Sequence, residues 1–151
     1  MPAESSSNEI RLTASGSPAG RFTLCVQQGL LRVTAEGEPI GQDLLVCFRR
    51  AQDAGWLQPN MRTLVDLTRF TGVIDWPAIH AIKRMAPWGT DPGPAPRTAY
   101  LVRDTLTGMV VKVLSLLFPR SRHRLFLNEA EALAWLHAPE TPPSHSTPEL
   151  A

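Results

Sequence analysis

Only two cysteines, Cys25 and Cys47, occur in the 151 residues. Two thiols cannot make a disulfide framework, and two alone do not complete a zinc site. Charge of one sign is also scarce. Fifteen Lys and Arg oppose fourteen Asp and Glu, a net charge of +1. Binding along a nucleic acid needs a clustered basic excess, so that class of partner is not expected. No long hydrophobic run exists either. The longest, Met109 to Phe118, is interrupted by Lys112 and Ser115, and a bilayer span requires roughly 20 residues. The start, Met1-Pro2-Ala3-Glu4, lacks the basic and apolar regions of a signal peptide. With unpaired thiols, that points to a reducing cytoplasm. The phosphate-cradling glycine motifs and the H-E-x-x-H motif are missing as well. His80, His123, His137 and His145 are not paired at metal-ligand spacing. Nothing here calls for a metal or a cofactor.

Apolar residues are plentiful, at 43%, and charged residues make up 19%. That suits one folded domain with a real core. Residues 1–20 and 138–151 are rich in Ser, Gly, Pro and Thr and predict tails, leaving a domain over residues 21–137. Ile10 and Leu12 are the exception, since they could add an edge strand. Three prolines between Gly89 and Pro96 demand a loop.

Within the domain the period changes repeatedly. Phe22, Leu24 and Val26 alternate as in a strand, Gln28-Gly29 turns the chain, and Leu31 and Val33 continue an antiparallel partner. Leu44, Cys47, Phe48 and Ala51 have helical spacing, and Gly55 stands where that helix would stop. Thr63 to Val65 is a strand ending at Asp66. Asp75 is a good cap for a helix reaching Met85, with Pro77 in its first turn. Thr98 to Val102 is a strand, and an apolar helix follows to Phe118, closed by Pro119. Leu125 to Leu127 is the last strand. Asn128 and Glu131 open the last helix in a capping-box pattern. The expected fold is α/β, a mixed, mainly parallel five-stranded sheet.

Several segments resemble the SpoIIAA-like family, a relative of STAS domains. The strongest is Arg124-Leu125-Phe126-Leu127-Asn128-Glu129-Ala130-Glu131-Ala132-Leu133-Ala134-Trp135-Leu136, similar to that family's closing strand and helix. Leu64-Val65-Asp66-Leu67 with Phe70 and Trp76 resembles its central strand and loop. Ala99 to Val102 and the helix ending Leu117-Phe118-Pro119 fit too. The resemblance implies a STAS-like single domain with helices mainly on one face. It also implies a non-enzymatic regulatory role, binding a lipophilic molecule or a protein partner. STAS anti-sigma antagonists carry a phosphorylatable serine at the start of the helix after the central strand. Here Ile74-Asp75-Trp76-Pro77 offers no hydroxyl, so the resemblance does not bring that switch with it. Trp135, inside the family-like motif, is expected to be a core anchor.

The helix at 105–118 is the most informative surface. Leu106, Met109, Val110, Val113 and Leu117 form one apolar stripe. Val111, Leu114 and Phe118 form a second, leaving Gly108, Lys112 and Ser115 for solvent. Docking on a sheet needs one stripe, so the second implies another partner: helix 75–86, a second copy in a homodimer, or an apolar ligand. Trp76, Met85 and Trp88 are candidates for the opposite wall of such a site. A rival reading is a small enzyme using Asp66, at the carboxyl edge of the sheet, with His80. No nucleophile accompanies that pair, so loop capping by Asp66 and a solvated His80 are the plainer roles. Buried, inert thiols are the plainer role for Cys25 and Cys47. A solvated turn is the plainer reading of Arg120, Arg122, His123 and Arg124.

Overall fold

The computed structural model describes residues 10–88, 90, 94–104 and 108–139, with side chains left undescribed at 10–17 and 108–111. The elements are β1 (Ile10–Ser17), β2 (Gly20–Gln27), β3 (Leu30–Gly37), α1 (Gly41–Asp53), β4 (Arg62–Phe70), α2 (Trp76–Met85), β5 (Arg97–Leu101), α3 (Gly108–Leu117), β6 (Arg122–Phe126) and α4 (Glu129–His137). One sheet runs in the order β1-β2-β3-β4-β5-β6. The first two pairings are antiparallel and the other three parallel. This is the mixed, mainly parallel sheet expected, with β2–β6 as its five anticipated strands.

The sixth strand corrects the expected N-terminal tail. Ile10 to Ala14 pair in register with Val26 to Phe22, so the sheet begins well before residue 21. The free edge of the β2–β3 hairpin offers a row of unpaired amides and carbonyls. That backbone template orders a segment whose own apolar pattern is weak. Of the expected C-terminal tail, residues 140–151 lie outside the described residues.

Local signals set most element ends. Gln28 and Gly29 both have positive φ, 54° and 78°, the geometry of a two-residue hairpin turn matched to strand twist. Gly55, with φ 78°, ends α1. There Trp56 N–H reaches Ala51 O and Gly55 N–H reaches Gln52 O, a Schellman closure. Asp75 Oδ1 accepts from Ala78 N at 3.1 Å to cap α2. Asn128 Oδ1 accepts from Glu131 N at 3.1 Å to cap α4.

Strand alternation then divides the molecule into two cores. On one face Phe22, Leu24, Leu31, Val33 and Ala35 meet Leu44, Leu45, Cys47, Phe48 and Ala51 of α1 and Ile82 of α2. Phe118, just after α3, packs against the same cluster. On the other face Leu64, Ala99, Leu101 and Phe126 meet Ala132 and Leu136 of α4. Three helices thus cover one face and one covers the other, as the family resemblance implies. Only Ala132 and Leu136 of α4 are fully buried. Leu133 and Trp135 pack partly buried against the same cluster, and polar contacts add to the hold on α4.

Two expectations about helices need correction. Trp135 is half-buried, not a fully enclosed anchor. Its ring lies 5.7 Å from Phe126, with the Arg97 and Arg122 guanidinium groups 5.8 and 6.0 Å from its centre. In α3 the expected inward stripe is not kept at Val113, while Leu117 is half-buried as expected. Val113, placed inward by the periodicity, is 38% exposed, and Leu116 is 78% exposed. Leu114 and Phe118 turn toward the sheet. Leu106 lies outside the described residues, as do the side chains of Met109, Val110 and Val111.

Candidate functional site

The three-helix face of the sheet does not close completely. The parallel registers place Thr63 opposite Thr98, and Thr98 opposite His123. This row crosses three strands beneath the helices, with two small side chains where larger ones would fill the space. Above it lies a cavity of ≈ 100 Å³. Its walls include Val33 and Val65 of the sheet, Phe48 of α1, Ile79 and Ile82 of α2, and Leu114 of α3.

Trp88 and Phe118 complete the wall. The Trp88 ring meets Phe48 edge-on, with centroids 5.7 Å apart and planes at 88°. It meets Phe118 at 5.8 Å and 65°. Both contacts have the edge-to-face geometry favoured by aromatic quadrupoles. The Trp88 indole Nε1 is buried and has no hydrogen-bond partner among the described residues.

A polar chain borders the same cavity. His123 Nε2 lies 2.9 Å from Phe118 O, which can only accept, so Nε2 carries the proton. In the neutral ring Nδ1 is then an acceptor, and it takes the Tyr100 hydroxyl at 2.9 Å. The two rings also stack, 5.7 Å apart at 20°. Burial holds the His123 pKa below its ordinary 6.5, only partly offset by the bond to Phe118 O. Burial pushes the Tyr100 phenol far above its ordinary range. Both groups are therefore neutral near pH 7.

Of the six residues singled out from the sequence, Trp88, Leu114 and Phe118 come together here. Met85 packs against the same core but does not line the cavity. Val111 falls among the undescribed side chains. Trp76 lies elsewhere, in an open crevice of ≈ 500 Å³ with Phe70 and Arg103. A second cavity of ≈ 80 Å³ shares Val33, Leu44, Val65, Ile79 and Leu114 with the first. It shares Leu67, Phe70, Val73 and Ile74 with the crevice. The two cavities and the crevice are thus neighbours divided by shared wall residues.

No protein-family model and no curated protein matches the chain. Among solved structures it is similar to an uncharacterised protein of the DUF3478 family with a SpoIIAA-like fold, from Shewanella loihica PV-4. The match has a TM-score of 0.53 over 90% of this chain and 99% of that one, at 17% identity. The fold is SpoIIAA-like.

Within this SpoIIAA-like fold, Asp66 and His80 are not brought together. Asp66 shares the α4 face of the sheet with Arg32, whose Nη2 lies 3.6 Å away. Its Oδ1 accepts from the Thr68 amide at 3.0 Å and the Thr68 hydroxyl at 2.6 Å. His80 is exposed on α2, across the sheet. Cys25 and Cys47 are buried and form no disulfide, and burial raises the Cys47 thiol pKa. Arg120, Arg122 and Arg124 are exposed to solvent, with Arg122 6.0 Å from the Trp135 ring centre and Arg124 5.4 Å from that of Phe126. Among the described residues no group of three or more His, Cys, Asp or Glu could hold a metal. No described helix is long and apolar enough to cross a membrane.

The sequence reading missed Thr63, Thr98, Tyr100 and His123 as site residues. Alternation in β5 already places Thr98 and Tyr100 on one face. His123 joins them only through the β5–β6 register, which no local pattern announces.

Proposed function

We propose that this SpoIIAA-like domain acts by binding and not by catalysis, capturing one small lipophilic molecule in the cavity between the sheet and helices α2 and α3. The carrying observation is that cavity, lined largely by apolar side chains of the sheet, α1, α2 and α3. Its size limits the occupant. Drug-sized ligands fill roughly 300–1,000 Å³, whereas a dry apolar cavity of about 150 Å³ takes benzene. At ≈ 100 Å³ the pocket admits a molecule of about one ring only if wall residues such as Leu114 and Ile79 shift outward.

The polar lining supports binding over catalysis. A general acid or base needs a ring nitrogen free to face the substrate. Both nitrogens of His123 are taken, one by Tyr100 and one by Phe118 O. A purely structural homodimer subunit would have no use for such a space. A regulatory role follows if occupancy alters α3 or the crevice presented to a protein partner. The two buried cysteines, not joined in a disulfide, suit a reducing cytoplasm.

The test is a thermal-shift titration of the full chain with toluene, beside Leu114→Trp, which fills the pocket. Saturation at about 100 times the dissociation constant stabilises by about 2.7 kcal/mol. The parent chain should therefore melt roughly 5–10 °C higher with ligand, and the variant should not respond. No shift in the parent, or an equal shift in the variant, rejects the proposal.

A further inference from the structure

We infer that the captured molecule carries a hydrogen-bond acceptor, a carbonyl or ether oxygen, and that the Trp88 indole N–H donates to it. This rests on the proposed capture of a small molecule and names its chemical class. The indole Nε1 is a donor and nothing else. Here it is buried with no acceptor among the described residues, a situation native proteins rarely leave unanswered. Phe48 and Phe118 meet the half-buried ring in T-shaped contacts at 5.7 and 5.8 Å, packing it on two sides.

The other polar groups on the wall impose no such demand. Tyr100 and His123 are committed to each other and to Phe118 O. Thr63, Thr98 and Ser121 contribute hydroxyls, which rotate to give or to accept. Only Trp88 imposes a direction, and that direction asks for oxygen lone pairs on the occupant. With room for at most about one ring, the class is a small aryl or alkyl ketone, aldehyde or ether. A pure hydrocarbon would leave the indole N–H unpaired.

Acetophenone and α-methylstyrene share one heavy-atom skeleton and differ by oxygen against methylene. Both are titrated into the full chain and into Trp88→Phe by calorimetry. The substitution should weaken acetophenone about tenfold relative to α-methylstyrene, the ratio expected for loss of one buried hydrogen bond. Because Trp88→Phe also trims packing, a second measurement uses the unaltered chain. Its ¹⁵N-labelled indole resonances are recorded with each compound. The Trp88 N–H proton should move downfield with acetophenone and not with α-methylstyrene. If both compounds bind but the ratio and the resonance do not respond, the inference falls and the proposed function stands. If neither compound binds the parent chain, both fall.

Discussion

Arg97 Nη1 donates to the main-chain oxygen of Trp135 at 2.6 Å, tying the start of β5 to the last turn of α4. The same nitrogen reaches Ala138 O at 2.8 Å, and Nη2 reaches Pro139 O at 3.4 Å. Arg97 is only 3% exposed. A helix leaves its last carbonyls without partners and carries partial negative charge there, so a buried guanidinium answers both needs. Because only Ala132 and Leu136 of α4 are fully buried, this contact should matter. Arg97→Met should lower unfolding free energy by about 2–4 kcal/mol in denaturant, since it strands buried carbonyls. A loss below about 1 kcal/mol would show that water replaces the guanidinium.

The termini are not equally dispensable. Starting the chain at residue 21 removes β1 and bares the edge of β2. We expect a loss of about 2–3 kcal/mol, roughly 5–10 °C in melting temperature, with greater aggregation. At the other end, a chain stopping after Pro139 keeps the Trp135, Ala138 and Pro139 acceptors of Arg97. A chain stopping after His137 loses two and should melt lower. Equal melting temperatures for the full chain and the chain from residue 21 would remove β1 from the stable sheet.

Acid should act through His123. Burial places its folded pKa below the unfolded value of 6.5. Below pH 6.5 the unfolded chain therefore binds more protons than the folded one, and stability falls as pH drops. The contribution is full above pH 6.5 and is lost as pH passes down through the folded pKa. Protonated Nδ1 can no longer accept from Tyr100, so that bond breaks. Melting curves between pH 7.5 and 5 should show this decline in the parent chain and a shallower one in His123→Gln. Identical slopes would mean that His123 does not titrate in this window.

What could be read from the sequence follows from how far each signal reaches. Asp75, Asn128, Gly55 and the Gln28-Gly29 turn act within four or five residues of themselves, and each stands where the local pattern put it. Trp88, Leu114 and Phe118 were identified because apolar excess on one element implies a covering partner. Arg97 was not, because its partners lie 38 to 42 residues away. The Tyr100–His123 pair depends on strand register, and β1 depends on an edge it does not itself encode. Helix α3 was ambiguous for another reason. Two adjacent apolar stripes satisfy the same periodicity, and only the cavity wall decides which faces in.

The outward placement of Val113 yields the last prediction. Among the described residues, Leu116 and Val113 are the exposed apolar side chains of α3, 78% and 38% accessible. Singly exposed apolar residues are ordinary on protein surfaces, but two on one short helix can also meet a second copy. Leu116→Glu combined with Val113→Ser should change monomer stability by no more than about 0.5 kcal/mol per site, as for other surface changes. Phe118→Glu should behave differently, placing a carboxylate against Trp88 and the core, where an unpaired charge is not tolerated. Gel filtration with light scattering and a thermal melt separate the outcomes. A folded double variant with the parent's mass leaves α3 as a solvent face. A folded double variant that changes from dimer to monomer assigns that face to self-association. An unfolded double variant returns Val113 to the core and restores the original stripe.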